Sequence, residues 1–252
     1  MLKTRVMPTL LYKDVGLVKG IGFDSWRRVG AALQAIKVYN MRDVDELVFL
    51  DITATPDSRP PAFADIDDLA DNCFMPMTVG GGVRTVDDIR NLLAVGADKV
   101  AVNTAAIESP ELIRDGAVHF GAQCVVVSID VRRHADGRTE VFSHCGTQPT
   151  GLDPVEWAKH AESMGAGEIL LTSIDRDGTM TGYDVALTAA VSQAVGIPVI
   201  ASGGAGTYQH MADVLRDGHA SAVAAASIFH FTEQTPKEAK QYLAENGFPV
   251  RR

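Results

Sequence analysis

The sequence predicts a (β/α)8 barrel, and three observations predict it. Eight short apolar runs rich in β-branched residues alternate with about eight longer segments of helical period over 252 residues. Several runs are almost continuously apolar, such as Leu47-Val48-Phe49-Leu50 and Cys124-Val125-Val126-Val127, as expected of strands covered on both faces in a parallel sheet. The chain also repeats itself at one constant offset. A doubly wound open sheet is the alternative, although eight strands are many for its usual plan.

In chain order the strands are expected at Arg5–Leu11, Glu46–Asp51, Met77–Gly80, Lys99–Asn103, Gln123–Asp130, Glu168–Ser173, Pro198–Ala201 and Ala222–Ala226. Between them Thr85–Val95, Pro110–His119, Pro154–Met164 and Thr207–Arg216 carry helix-type apolar spacing. Thr85, Ser109, Asp153 and Thr207 are candidate N-caps, and Gly96 and Gly218 are candidate helix stops.

The repeat has an offset of 122 residues. Glu46-Leu47-Val48-Phe49-Leu50 falls over Glu168-Ile169-Leu170-Leu171-Thr172, and Pro76, Gly81, Gly82, Thr85 and Gly96 fall over Pro198, Gly203, Gly204, Thr207 and Gly218. One offset across separated segments predicts two tandem half-barrels, about residues 1–122 and 123–252, within a single domain 1–252. Shared Gly and Pro punctuation of βα units is the blander explanation. If the halves are equivalent, each carries a ligand site at its strand C-termini.

Composition narrows the functional classes. With 23 basic and 32 acidic residues the net charge is −9, and no run of Lys or Arg suits a nucleic-acid backbone. No apolar stretch approaches the ~20 residues that span a bilayer. The opening Met1–Val6 runs straight into strand-like sequence, which predicts no secretory leader and a cytoplasmic protein. Cys73, Cys124 and Cys145 are odd in number and widely spaced, so neither a disulfide framework nor a zinc site is indicated, and no metal or cofactor is expected.

Two glycine-rich turns follow strands and open helices: Gly80-Gly81-Gly82 before Thr85, and Ser202-Gly203-Gly204-Ala205-Gly206 before Thr207. Such turns let backbone N–H groups at a helix start approach an anion. The next strand in each half ends in Asn103-Thr104 or Ala226-Ser227, completing a pair of phosphate cradles on one rim. A ligand with a phosphate at each end fits that pair. Tight βα turns with no ligand would carry the same glycines.

Several long motifs carry a resemblance. They are Thr78-Val79-Gly80-Gly81-Gly82-Val83-Arg84, Gly96-Ala97-Asp98-Lys99-Val100, Asn103-Thr104-Ala105-Ala106, Leu171–Thr179, Ala201–Gly206 and Ile228-Phe229-His230-Phe231. Through them the chain resembles, end to end, the cyclase subunit of imidazole glycerol phosphate synthase. The resemblance implies a half-barrel-duplicated lyase with a phosphate site in each half. It also implies a glutamine amidotransferase docked on the opposite face, whose ammonia cleaves a bis-phosphorylated ribulosyl aminoimidazole intermediate.

The family uses one carboxylate at the end of the first strand and one at the end of the fifth. Asp130, closing Ser128-Ile129-Asp130, matches the second and is the catalytic candidate. Where family members read Cys-Leu-Asp-Val-Lys-Asp-Gly, this chain reads Thr9-Leu10-Leu11-Tyr12-Lys13-Asp14-Val15, so Leu11 replaces the first carboxylate. Asp14 is a possible substitute in the loop beyond. The resemblance further implies substrate or phosphate contacts from Lys19 in the long first loop, Asp51, Thr78, Asn103, Thr172, Asp177, Gly178 and Ser202, beside the cradle residues Gly81, Gly82, Thr104, Gly203, Gly204, Ala226 and Ser227.

At the opposite rim, strands are read as starting at Arg5, Glu46, Lys99 and Glu168, which by resemblance form a charged ammonia gate, with Asp98 as a partner contact. A structural salt-bridge ring is the competing reading. An intact gate beside a lost carboxylate resembles a family branch in which the barrel serves nitrogen transfer in amidated or acetamidino sugars of surface polysaccharides. A genuine histidine-pathway cyclase and a non-catalytic ammonia-channelling activator are the alternatives.

Overall fold

The computed structural model describes residues 3–14 and 16–251. Met1, Leu2 and Val15 lie outside the described residues, and with them the lead-in to the first strand and the end of its motif. Eight parallel strands close into a barrel: β1 Arg5–Lys13, β2 Leu47–Asp51, β3 Met77–Gly80, β4 Lys99–Val102, β5 Val125–Arg133, β6 Glu168–Ser173, β7 Val199–Ser202 and β8 Ala222–Ala225. Each pairs with its successor, and β8 returns to β1 with Arg5 opposite Ala222 and Pro8 opposite Ala225.

The near-continuous apolar runs follow from two cores that share each strand. Alternate residues Met7, Val48, Ala101, Val126, Leu170, Ile200, Ala222 and Ala224 fill the barrel interior. Their neighbours, among them Val6, Leu47, Val100, Val127, Ile169 and Val223, face a larger core beneath the helices. Both faces are therefore dry, and the period-2 signal of a half-exposed strand vanishes.

The outer helices are α1 Ala32–Asn40, α2 Phe63–Ala70, α3 Val86–Ala94, α4 Glu111–Phe120, α5 Pro154–Ser163, α6 Val185–Ala194, α7 Tyr208–Arg216 and α8 Pro236–Glu245. Thr85 caps α3 by accepting from Asp88 N, whose carboxylate returns the bond; Thr207 accepts from His210 N, and Asp153 accepts from Val155 N and Glu156 N. Each such cap is worth about 1 kcal/mol. Ser109 does not cap α4: the N-cap is Pro110, and the Ser109 hydroxyl turns to Glu111. Gly96 ends α3 with φ 102, but the left-handed residue after α7 is His219 at φ 54 rather than Gly218. Gly218 answers to crowding instead, since a Cβ there would meet Val214 O at 2.5 Å.

Two hairpins were not anticipated. Gly16–Ile21 pairs with Asp24–Gly30 and continues antiparallel from the end of β1, so the long first loop is sheet. Thr139–Ser143 folds back on the end of β5 and pairs with Gln148–Pro149. Both rise at the C-terminal mouth of the barrel. The N-terminus of β5 also starts later than expected, because Ala122–Cys124 is a 3-10 turn.

Candidate active site

One open cavity lies at the C-terminal mouth. It is lined by Lys19, Asp51, Gly81, Gly82, Asn103, Thr104, Asp130, Thr172, Asp177, Gly178, Ser202, Gly203, Gly204, Ala226 and Ser227. The structure therefore gathers into one space all but one of the catalytic and substrate-contact residues read from sequence.

Thr78 is the exception. It is the second residue of a four-residue strand, and its hydroxyl donates to Glu46 Oε1 at 2.8 Å. It is buried against the opposite rim, away from the cavity lining, so its assignment as a substrate contact is corrected.

Lys19 sits on a hairpin strand rather than in a loop, and only 3% of it is exposed. Its ammonium donates to Asp177 Oδ2 at 2.6 Å. Burial raises the Asp177 carboxyl above its usual range despite the opposing pull of Lys19. Asp177 O also accepts from Gly22 N at 2.9 Å, so the hairpin is fastened to the segment after β6 by both side chain and backbone.

Asp51 is held as firmly. Its Oδ1 accepts from Thr53 N, Thr53 Oγ1 and Ala54 N at 2.9, 2.8 and 3.1 Å, and Arg59 reaches Oδ2 at 3.2 Å. Among the described residues Asp130 has no such cation. The Asn103 amide donates to Ser128 O and Phe142 O at 3.1 and 3.2 Å and reaches Asp130 Oδ2 at 3.4 Å. Burial pushes the Asp130 carboxyl up to about 7, and the Asp177 charge adds to this, while the Ser128 and Thr172 hydroxyls pull it back. A carboxyl so poised both gives and accepts a proton near neutral pH.

Leu11 lines the same cavity from β1 and pairs in register with Leu50 on β2. Asp14 is no substitute: it stands exposed in the turn beyond β1 with φ 57, outside the cavity lining.

The glycine turns are shaped by close approach. Gly81 has φ 108, and a Cβ would meet Asp51 O at 2.2 Å; Gly203 has φ 88, and a Cβ would meet Ser173 O at 2.6 Å. Two cavity hydroxyls, Thr9 Oγ1 and Ser227 Oγ, are buried without a hydrogen-bond partner among the described residues. Buried polar atoms are nearly always paired, so these two are notable as free donors in a cavity. Thr9 was missed by the sequence reading, as were Ser128 and Cys145 in the lining. Thr9 and Ser128 lie two residues before Leu11 and Asp130, so strand alternation could have found them. Nothing in the sequence pattern marked Cys145.

At the N-terminal rim the four charges meet. Arg5 donates to Glu46 Oε2 at 2.7 Å and to Glu168 Oε2 at 3.1 Å, and Lys99 donates to the same two oxygens at 3.0 and 3.1 Å. Glu46 itself just precedes β2, which begins at Leu47. Burial pushes the Glu46 carboxyl up, but Lys99 and Arg5 together outweigh it and hold it below the usual range. Asp98 is exposed beside this ring, with one carboxylate oxygen accepting from Met77 N at 2.8 Å.

Among the described residues no cluster of three or more His, Cys, Asp or Glu side chains is arranged to hold a metal ion, and no helix is long and apolar enough to cross a membrane.

A closed (β/α)8 barrel with polar side chains converging at its strand C-termini has the layout of a barrel enzyme. The family model for histidine biosynthesis proteins matches residues 5–235, and the chain belongs to that family. Family and barrel together fit a cyclase of the imidazole glycerol phosphate synthase type.

Proposed function

We propose that this barrel is an ammonia-receiving member of the cyclase family, specialised for nitrogen transfer to a phosphorylated sugar-type acceptor in the making of amidated or acetamidino surface sugars. Its partner is a glutamine amidotransferase seated on the N-terminal face, in contact with Asp98, and its setting is the cytoplasm. The observation that carries this reading is the lone Asp130. Asp51 and Asp177 are occupied by Arg59 and Lys19, and the wall opposite Asp130 offers Leu11. A leucine neither gives nor takes a proton, and losing a general acid or base commonly costs ~10²–10⁴ in rate.

The remaining parts have consistent roles. Ammonia enters where Lys99 leaves the ring formed with Arg5, Glu46 and Glu168, crosses the apolar interior and reaches Asp130. Two tandem half-barrels supply a cradle each. That duplication is supported by the matched left-handed glycines, by the Thr85 and Thr207 caps, and by the alike backbone angles of Asn103 (φ −121, ψ −83) and Ala226 (φ −122, ψ −67). The first cradle comprises Gly81, Gly82, Asn103 and Thr104; the second comprises Ser202, Gly203, Gly204, Ala226 and Ser227.

A second reading, the histidine-pathway cyclase with Asp130 carrying the proton chemistry, is favoured by the pair of cradles and the free Thr9 and Ser227 hydroxyls. Calorimetry with the bis-phosphorylated ribulosyl aminoimidazole intermediate, paired with a turnover assay in ammonium salt, separates the two. The specialised role predicts binding without turnover. Full turnover supports the cyclase, and absence of binding contradicts the paired cradles.

A further inference from the structure

Four side-chain polar atoms are buried without a hydrogen-bond partner among the described residues: Thr9 Oγ1, Trp157 Nε1, Ser192 Oγ and Ser227 Oγ. Trp157 and Ser192 belong to the outer helices α5 and α6. Thr9 and Ser227 instead line the cavity at the C-terminal mouth, and only 8% and 5% of these residues is exposed. They sit on neighbouring elements. Thr9 comes one residue after Pro8, which pairs with Ala225 at the end of β8, and Ser227 comes two residues after Ala225.

The surroundings of Thr9 leave its hydroxyl to the cavity. Side chains alternate along a strand, so Thr9 faces inward one layer above Met7. Its register partner on β2 is Val48, and the inward residue on β8 is Ala224; both belong to the apolar interior. Lys19, in the same lining, is already given to Asp177 at 2.6 Å. The His230 ring reaches the Thr9 carbonyl oxygen, at 3.5 Å, and not the hydroxyl. A buried hydroxyl is nearly always paired, and an unpaired one costs stability. Thr9 also departs from the cyclase motif, which reads Cys at this place. A thiol bonds weakly, whereas a threonine hydroxyl both donates and accepts.

We propose that Thr9 is a specificity residue, whose hydroxyl pairs with a hydroxyl on the carbon chain of a polyol or sugar phosphate seated by its phosphate in the second cradle. Gly203, Gly204 and Ser227 take the phosphate, and Thr9 reads the oxygen on the chain beside it. A hydroxyl-bearing chain makes a bond here that a plain alkyl chain cannot, a difference of about three- to tenfold in affinity. The proposal rests on the second phosphate cradle, which both functional readings share, and adds what the ligand must carry next to its phosphate.

The test is calorimetric titration of the whole chain with glycerol 3-phosphate and with n-propyl phosphate, which share a three-carbon chain and an anionic end. Glycerol 3-phosphate should bind about three- to tenfold tighter. Thr9→Val keeps the shape and removes the hydroxyl, so it should bring that ratio to one by weakening glycerol 3-phosphate alone. Thr9→Ser should keep the preference. Because Thr9→Val deletes an unpaired buried polar atom, its ligand-free melting temperature should be unchanged or higher. Equal binding of the two phosphates by the unmodified protein, or a ratio that survives Thr9→Val, overturns the role of Thr9 and leaves the cradle standing. So does a fall of more than about 4 °C in the Thr9→Val melting temperature, which would assign the hydroxyl to the fold. Failure of both phosphates to bind overturns the cradle and the Thr9 subsite together.

Discussion

Leu11 and Asp130 lie on diametrically opposed strands, β1 and β5, and line the same cavity. One position offers an aliphatic side chain, the other a carboxyl poised near neutrality with no cation beside it among the described residues. The site is therefore chemically one-sided, and its behaviour follows from that asymmetry.

Asp130 should make the fold pH-dependent in a defined direction. Its folded pKa of about 7 lies above its unfolded value, so the two states bind protons equally below about pH 4. As pH rises from there through 7 the unfolded chain ionises first, and stability falls. Asp130→Asn should therefore be neutral to stability near pH 4 and stabilise by about 2–4 kcal/mol near pH 8. Denaturant melts at both pH values check this, and nitrogen transfer should fall about 10²–10⁴-fold in the same variant.

The ring of Arg5, Glu46, Lys99 and Glu168 carries the opposite sign. Glu46 is held below the usual carboxylate range, so its contribution is present above the unfolded value and is lost as pH falls through the folded one. Glu46→Gln leaves Arg5 and Lys99 with only Glu168 to share and leaves the Thr78 hydroxyl a weaker acceptor. A loss of about 2–4 kcal/mol near pH 7, shrinking toward acid, is expected in urea melts.

Lys99→Ala separates a passage from a brace. As a gate residue, Lys99 should alter glutamine-dependent nitrogen transfer by tenfold or more and leave ammonium-dependent transfer within about twofold. Equal changes in both assays would mark the ring as structural only.

Gly203→Ala should abolish phosphate binding at the proposed second cradle. The Cβ would collide with Ser173 O, and the backbone is left-handed at that point. A destabilisation of about 1–3 kcal/mol is expected in thermal melts, with at least a tenfold loss of phosphate affinity by calorimetry. Ser227→Ala, which touches neither backbone nor core volume, should weaken phosphate binding about three- to tenfold while leaving the melting temperature unchanged.

The barrel was legible because each strand is dry on both faces, leaving unmistakable runs such as Leu47–Leu50. The hairpins were not, because Asp24–Gly30 is mostly exposed on both faces and its Arg27 and Arg28 carry no strand periodicity. Site residues at strand C-termini were legible because direction along a parallel strand fixes which end meets the mouth. Thr78 was misread because a motif does not report depth: two residues below Gly80, about 7 Å down the strand, the side chain belongs to the other rim. Cys145 was invisible because its placement depends on a left-handed turn that no local signal announces.

The decisive experiment is ammonium-dependent turnover of the bis-phosphorylated ribulosyl intermediate by the unmodified barrel and by Leu11→Asp, run side by side with substrate saturating. On the proposed function, a carboxyl facing Asp130 across the cavity would supply the second proton-transfer group. Binding without turnover is therefore expected in the first, and a gain of at least ~10² in the second. Full turnover by the unmodified protein, with nothing added by Leu11→Asp, would contradict a barrel disarmed by its leucine.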